Sequence, residues 1–278
     1  MLTKAEVTNS SGVVLELPIG EPYMGYLVQE IEGLDPTKAT LVTSSFANED
    51  GEEYHTSRRD ARDIVFKIKL EPDYSTGSAW ELRQDLYGFF MPKSEVSMRF
   101  YVEAFGYVDI TGVVEVFNCP MFVKEPEATV SIHCAKSDFL IPDPVIFNGV
   151  TTWSDIIEAE INYDGTIETG IAFNITADRS LPEGLTIYHR GPDNSFNVLE
   201  FTEPLSAGDT LDISTVNGAK GATLTNDVDG TDSILFGVTP QSAWINLFPG
   251  KNYIRVFVDV EGAVIPYTMT YTKKHGGL

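Results

Sequence analysis

Between residues 64 and 102 the hydrophobic period changes twice, from two residues to about 3.6 and back, and this pattern limits the architectures open to the chain. Ile64, Phe66, Ile68 and Leu70 alternate with more polar neighbours, which predicts a strand with one buried face. A basic turn, Tyr54 to Arg62, feeds that strand. Ser78 and Glu81 then stand in the spacing of a capping box, whose hydroxyl and carboxylate satisfy the first free amides of a helix. Ala79, Leu82, Leu86 and Phe89 or Phe90 share one face at helical spacing until Pro92, so a helix is predicted over about residues 78–91. Val96, Met98, Phe100 and Val102 resume the alternation. The unit is strand, one helix, strand.

The remainder reads as sheet. Gly12 to Leu17 and Gly25 to Ile31 are short strands separated by Pro18, Gly20 and Pro22, and Asn48 to Glu53 is an acidic loop. Phe105 to Phe117 reads as a strand pair broken at Gly112, and Ala128 to Cys134 alternates cleanly. The prolines of Ile141-Pro142-Asp143-Pro144 favour extended backbone, as a linker or an edge segment, and the domain boundary is placed near Gly149. The expected domains are therefore 1–149 and 150–278. After Thr151 no helix is expected. Runs at 156–161, 167–175, 185–189, 197–201, 210–213, 221–225, 233–236 and 253–260, joined by Gly, Pro and Asp turns, predict a β-sandwich or jelly roll.

Charge narrows the partners. Against 19 Lys and Arg stand 41 Asp and Glu, a formal charge of −22, which repels nucleic acid and anionic membranes. No segment approaches the length of a membrane span and Met1 to Glu6 does not open an export signal, so the chain is expected to be made in the cytoplasm, without membrane insertion. Cys119 and Cys134 lie on neighbouring strand-like segments, and buried free thiols are expected of them.

Several features in order resemble one family, the distal tail proteins (Dit) of long-tailed bacteriophages. They are the arginine-rich turn before an alternating strand (Arg58 to Leu70), the single helix (Ala79 to Phe90), the closing strand Val130 to Cys134 and the exit Asp143-Pro144-Val145-Ile146-Phe147. Two turns add to these: Leu205-Ser206-Ala207-Gly208-Asp209 and Leu247-Phe248-Pro249-Gly250-Lys251-Asn252. The resemblance implies a mainly β fold: an N-terminal β-sandwich or barrel-like ring domain with one helix, then a C-terminal jelly-roll or galectin-like β-sandwich. It also implies a structural virion protein at the phage tail tip, assembled in the host cytoplasm as a homohexameric ring. That ring joins the tail tube protein to the baseplate hub protein and carries receptor-binding or tail-fibre proteins.

Catalysis is not expected, and neither are cofactors or metals. Acidic residues are abundant enough to form pairs by chance, and no nucleophile signature stands out. Asn226 to Asp232 superficially resembles a calcium loop, but Phe236 stands where a ligating carboxylate belongs, so a solvated turn is expected. His55, His133, His189 and His275 show no metal-ligand spacing. Arg58, Arg59 and Arg62 are the candidate subunit or partner contacts, against a solvated turn paired with Asp60 and Asp63. Trp153 and Trp244, with Tyr163, Tyr188 and Tyr253, could stack on a sugar, against the simpler role of core packing, and a carbohydrate-binding sandwich is the second reading of the chain. The end, Tyr271 to Leu278, is expected to fray.

Overall fold

A computed structural model describes residues 1–47, 50–75, 77–154, 156–226 and 230–278. The chain divides into two compact units, Met1–Ile141 with His275–Leu278, and Pro142–Lys274. The second unit is an insertion in the first, and Gly149 lies inside one of its strands.

The first unit contains β1 (Leu2–Asn9), β2 (Val14–Pro18), β3 (Tyr26–Glu32), β4 (Ala39–Ser44), β5 (Glu53–Arg59), β6 (Arg62–Leu70), α1 (Ala79–Phe90), β7 (Glu95–Val102), β8 (Gly106–Asn118), β9 (Glu127–Cys134) and β10 (Phe139–Leu140). Its main sheet runs β2-β1-β7-β8-β9-β6-β3, and a parallel bridge from Ile19 to Val28 brings the two ends together, giving a barrel-like closure. Both halves of the predicted capping box are present at Ser78 and Glu81, and Met91, held extended before Pro92, ends the helix. The helix buries Leu86 and Phe90 fully, while Leu82 and Phe89 pack at the margin. Phe90, Phe66, Phe100 and Phe139 form a chain of ring contacts 5.9 to 6.3 Å apart through the core.

Sequence reading missed β1, whose Ala5 and Val7 are completely buried. Nor does β8 break at Gly112. It runs through, because a Cβ there would lie 2.7 Å from Ile132 Cγ2 and 2.8 Å from Cys134 Sγ: the glycine admits close packing rather than a turn. The expected basic turn is also a strand. Residues 53–59 form β5, paired with β4 in a hairpin that joins no other sheet.

Arg62 begins β6 and is only 2% exposed. Its guanidinium donates to Ser137 O at 2.9 Å, to Asp35 O at 3.0 Å, and to Gly33 O and Gly276 O, with the Phe139 ring 4.2 Å beneath it. Burial pulls its pKa down, and the four carbonyls with the nearby Asp138 and Asp35 charges hold the cation in place. The C-terminus therefore does not fray: Lys274–His275 forms β22 against β10, His275 stacks on Phe105 at 4.6 Å, and Leu278 N donates to Leu34 O at 3.0 Å.

The second unit is a two-sheet antiparallel β-sandwich. It contains β11 (Val145–Val150), β12 (Ala159–Tyr163), β13 (Thr169–Thr176), β14 (Leu185–Arg190), β15 (Phe196–Phe201), β16 (Thr210–Ser214), β17 (Gly221–Asn226), β18 (Gly230–Ser233), β19 (Asn246–Leu247), β20 (Gly250–Phe257) and β21 (Pro266–Tyr271). One sheet runs β11-β21-β13-β16-β17-β18, with β19 on β13, and the other runs β12-β20-β14-β15. The double-proline segment thus leads into an edge strand, β11. The run expected at 233–236 is instead a 3-10 turn, Leu235–Gly237.

The two turns that carried the resemblance have a physical basis. Gly208 adopts φ +97, and Asp209 Oδ2 accepts from Ser206 N at 2.7 Å. Asn252, fully buried, accepts from Phe248 N at 3.0 Å and donates to Phe248 O at 2.7 Å and Gly250 O at 3.0 Å, closing the Pro249-Gly250 turn on itself. Its Oδ1 also meets His189 Nε2 at 3.0 Å, so that nitrogen carries the proton, while Nδ1 faces Asn197 Nδ2 at 3.4 Å. The ring has no room for a second proton, and burial lowers the His189 pKa below its usual value despite the Asn252 bond and the Asp193 charge.

Two outcomes follow. Arg62→Ala strands four carbonyls from three segments and should cost about 3 kcal/mol in the first unit, with faster carboxypeptidase release of Leu278; Arg62→Lys should recover little, since one ammonium cannot span the four acceptors. Unchanged denaturant midpoints and tail cleavage would contradict the clamp. For His189 the unfolded chain binds a proton near pH 6.5 that the folded ring resists, so the second unit should lose stability as pH falls below that value, by at most about 1.4 kcal/mol per pH unit. Midpoints in urea across pH 7 to 5 check this: the slope should flatten in His189→Gln.

Candidate functional site

The predicted contact arginines separate. Arg58 lies exposed on β5, and no carboxylate pairs with it among the described residues. Arg59 reaches Asp138 at 3.6 Å. Arg62 is the buried clamp, which removes it from the surface. Asp60 accepts the Thr40 hydroxyl at 2.8 and 2.9 Å, and Asp63 pairs with His133 at 2.8 Å, so those carboxylates serve the hairpin base and a cross-strand pair.

The hairpin that carries Arg58 is open on both faces. Leu41, Val42 and Tyr54 are 60%, 48% and 58% exposed, and Phe46 just beyond β4 is 59% exposed. A two-stranded ribbon with exposed apolar side chains is marginal in water unless something packs on it. Elsewhere on this unit Trp80 on α1 and Phe122 after β8 are also exposed. Cys119 and Cys134 are buried free thiols, and burial pushes Cys134 up to about 11.

In the second unit a cavity of about 330 Å³ opens beside Trp153. Its floor is Gly149 and Tyr267: the phenol ring covers the glycine so closely that a Cβ there would lie 2.4 Å from Cζ and Oη. Tyr267 is 4% exposed, burial pushes its hydroxyl up to about 12, and that hydroxyl has no partner among the described residues. On one wall Arg255 Nε donates to Thr152 Oγ1 at 3.0 Å while its guanidinium lies 5.1 Å from the Phe257 ring and 5.4 Å from Tyr188. No carboxylate pairs with Arg255 among the described residues. Trp153, 39% exposed, stands at the mouth with Val150, Ile157 and Val264.

The other ring candidates have packing or hydrogen-bond partners within the chain. Trp244 packs half-buried against the sandwich core with Lys220 5.7 Å from its ring. Tyr163 is buried and donates to Ile167 O at 2.8 Å, and Tyr253 lies 4.0 Å under Arg190. Tyr188 stacks on Phe196 at 5.9 Å. Asp227 and Asp229 of the calcium-like loop lie outside the described residues. Sequence reading missed Arg255 and Tyr267 because only the strand pairing of β20 and β21 with distant segments brings them beside Trp153.

Comparison with known structures bears on the fold. At 17% identity and a TM-score of 0.68, covering 97% of this chain and 98% of the other, the structure is similar to SPP1 Dit (gp 19.1), described as a paradigm of the hub adsorption apparatus in phages that infect Gram-positive bacteria. The chain has the Dit fold. Chains of the phage P2 baseplate in its activated conformation, with Ca and with Sr, overlap end to end at 10% and 9% identity, but with TM-scores of 0.43 and 0.44 those overlaps carry no argument. No family model matches the sequence, and no curated protein matches it.

The Dit-like core is expected to keep both thiols shielded: at pH 8 a disulfide reagent such as DTNB should titrate neither cysteine until denaturant is added. Rapid labelling of either in the native protein would contradict the burial.

Proposed function

We propose that this chain is a non-enzymatic structural subunit of a phage tail tip, working by assembly with copies of itself. The observation that carries the reading is the bare β4–β5 hairpin. The rest of the first unit closes on itself, yet this ribbon exposes Leu41, Val42, Phe46, Tyr54 and Arg58 and is stabilised by little within its own chain. A neighbouring subunit is the partner that such an arm fits, and a ring is the closed arrangement in which every copy both gives and receives the same contact. The Dit fold and the family resemblance support six copies, joining a tail tube protein to a baseplate hub and carrying receptor-binding or fibre proteins.

Charge sets how such a ring behaves. With a formal charge of −22 on each chain, copies repel one another, and an apolar contact must overcome that repulsion. Salt screens the repulsion without weakening the apolar contact. Light scattering of the purified chain should therefore give a mass near six subunits that grows more stable as salt rises. Replacing residues 39–59 by a short Gly-Ser linker should leave a folded monomer. Assembly that weakens steadily with salt, or a hairpin-less chain that assembles as before, would count against the reading.

A further inference from the structure

The cavity beside Trp153 lies in the second unit, apart from the hairpin proposed for assembly, and its lining combines an aromatic ring with polar donors. Among the described residues, three of its lining groups keep binding capacity that the chain does not use. Arg255 spends only Nε on Thr152, leaving its terminal N–H groups without a carboxylate in a chain where acids outnumber bases by 41 to 19. The Tyr267 hydroxyl has no hydrogen-bond partner among the described residues, although the residue as a whole is buried. Trp153 also lines the cavity and is 39% exposed, so part of its indole is open to solvent. Arg255 and Tyr267 both line the cavity with N–H and O–H groups that the described residues do not fully engage, and donors of that kind can be answered by a ligand's acceptors.

We propose that this cavity binds one ring of an acidic saccharide, a hexuronate. Its carboxylate pairs with the free edge of the Arg255 guanidinium, which is planar and suited to a two-point carboxylate contact. The apolar face of the pyranose lies on Trp153, and a ring hydroxyl accepts from Tyr267. The size agrees: about 330 Å³ is at the small end of ligand pockets and suits a single sugar unit with part of its neighbour. Gly149 is a specificity element of the same site, because any side chain there would displace the Tyr267 ring and fill the floor.

The test is calorimetric titration of the full chain with methyl glycosides of glucuronic and galacturonic acid, beside methyl glucoside and acetate. At least one uronide should saturate and change tryptophan emission, the neutral glycoside should bind about tenfold more weakly, and acetate alone should show no saturation. Trp153→Ala should weaken the uronide about tenfold, while Arg255→Gln should erase the preference for the acid; both sites are partly exposed, and thermal melts confirm that the variants fold. Absence of saturation by either uronide up to about 50 mM overturns the proposal. So does undiminished binding by Trp153→Ala, or binding of N-acetyltryptophanamide in place of the sugars, which would mark a pocket for a partner protein's side chain.

Discussion

The Arg62 guanidinium is the contact on which the organisation of the chain depends. A cation this deeply buried is tolerated only if its donors are answered, and here the answers come from segments far apart in sequence: Gly33 and Asp35 after β3, Ser137 after β9, and Gly276 at the returning end. Phe139 links the same group to the line of aromatic rings that fills the core beneath α1. The chain leaves the first unit after Ile141 and returns to it at His275, where Gly276 supplies one of the four acceptors, so the second unit is an insertion in the sequence of the first. Lysine has neither the planar fork nor the number of donors to do this.

Against that closure the β4–β5 hairpin stands apart. The barrel-like sheet satisfies its own edges through the Ile19 to Val28 bridge, and the sandwich buries its two inner faces against each other. Among the described residues the hairpin has neither a third strand nor a buried core residue of its own. Its exposed apolar side chains, and Arg58 with no carboxylate beside it among the described residues, are the features on which the proposed subunit contact rests. The hairpin proposed for assembly and the Trp153 cavity thus belong to different units and place separate demands on the sequence.

How much of this was legible in the sequence depended on distance along the chain. The helix was legible from Ser78 to Pro92 because capping and termination are decided within a few residues. Strands with clean alternation, such as β6 and β7, were legible for the same reason. β1 was not, because its apolar positions are only Ala5 and Val7 and its burial comes from pairing with β7, residues 96–102. Arg58 and Arg59 looked like a turn because their strand has no buried face to impose a period. Arg62 looked like its neighbours, and nothing local marks it as the one that is buried. Asn252 was noticed as part of a motif, but its role as the acceptor for His189 exists only once β14 and β20 pair. Of the two tryptophans, Trp153 lines the cavity described above, whereas Trp244 packs half-buried against the sandwich core.

The most direct test of the assembly account is hydrogen–deuterium exchange of the hairpin amides, residues 39–44 and 53–59, compared between dilute low-salt protein and the concentrated high-salt form. The account predicts fast exchange in the isolated chain and strong protection on association, with the β6 to β9 core protected in both. Hairpin amides already protected in the monomer, or still unprotected in an assembled form, would contradict it.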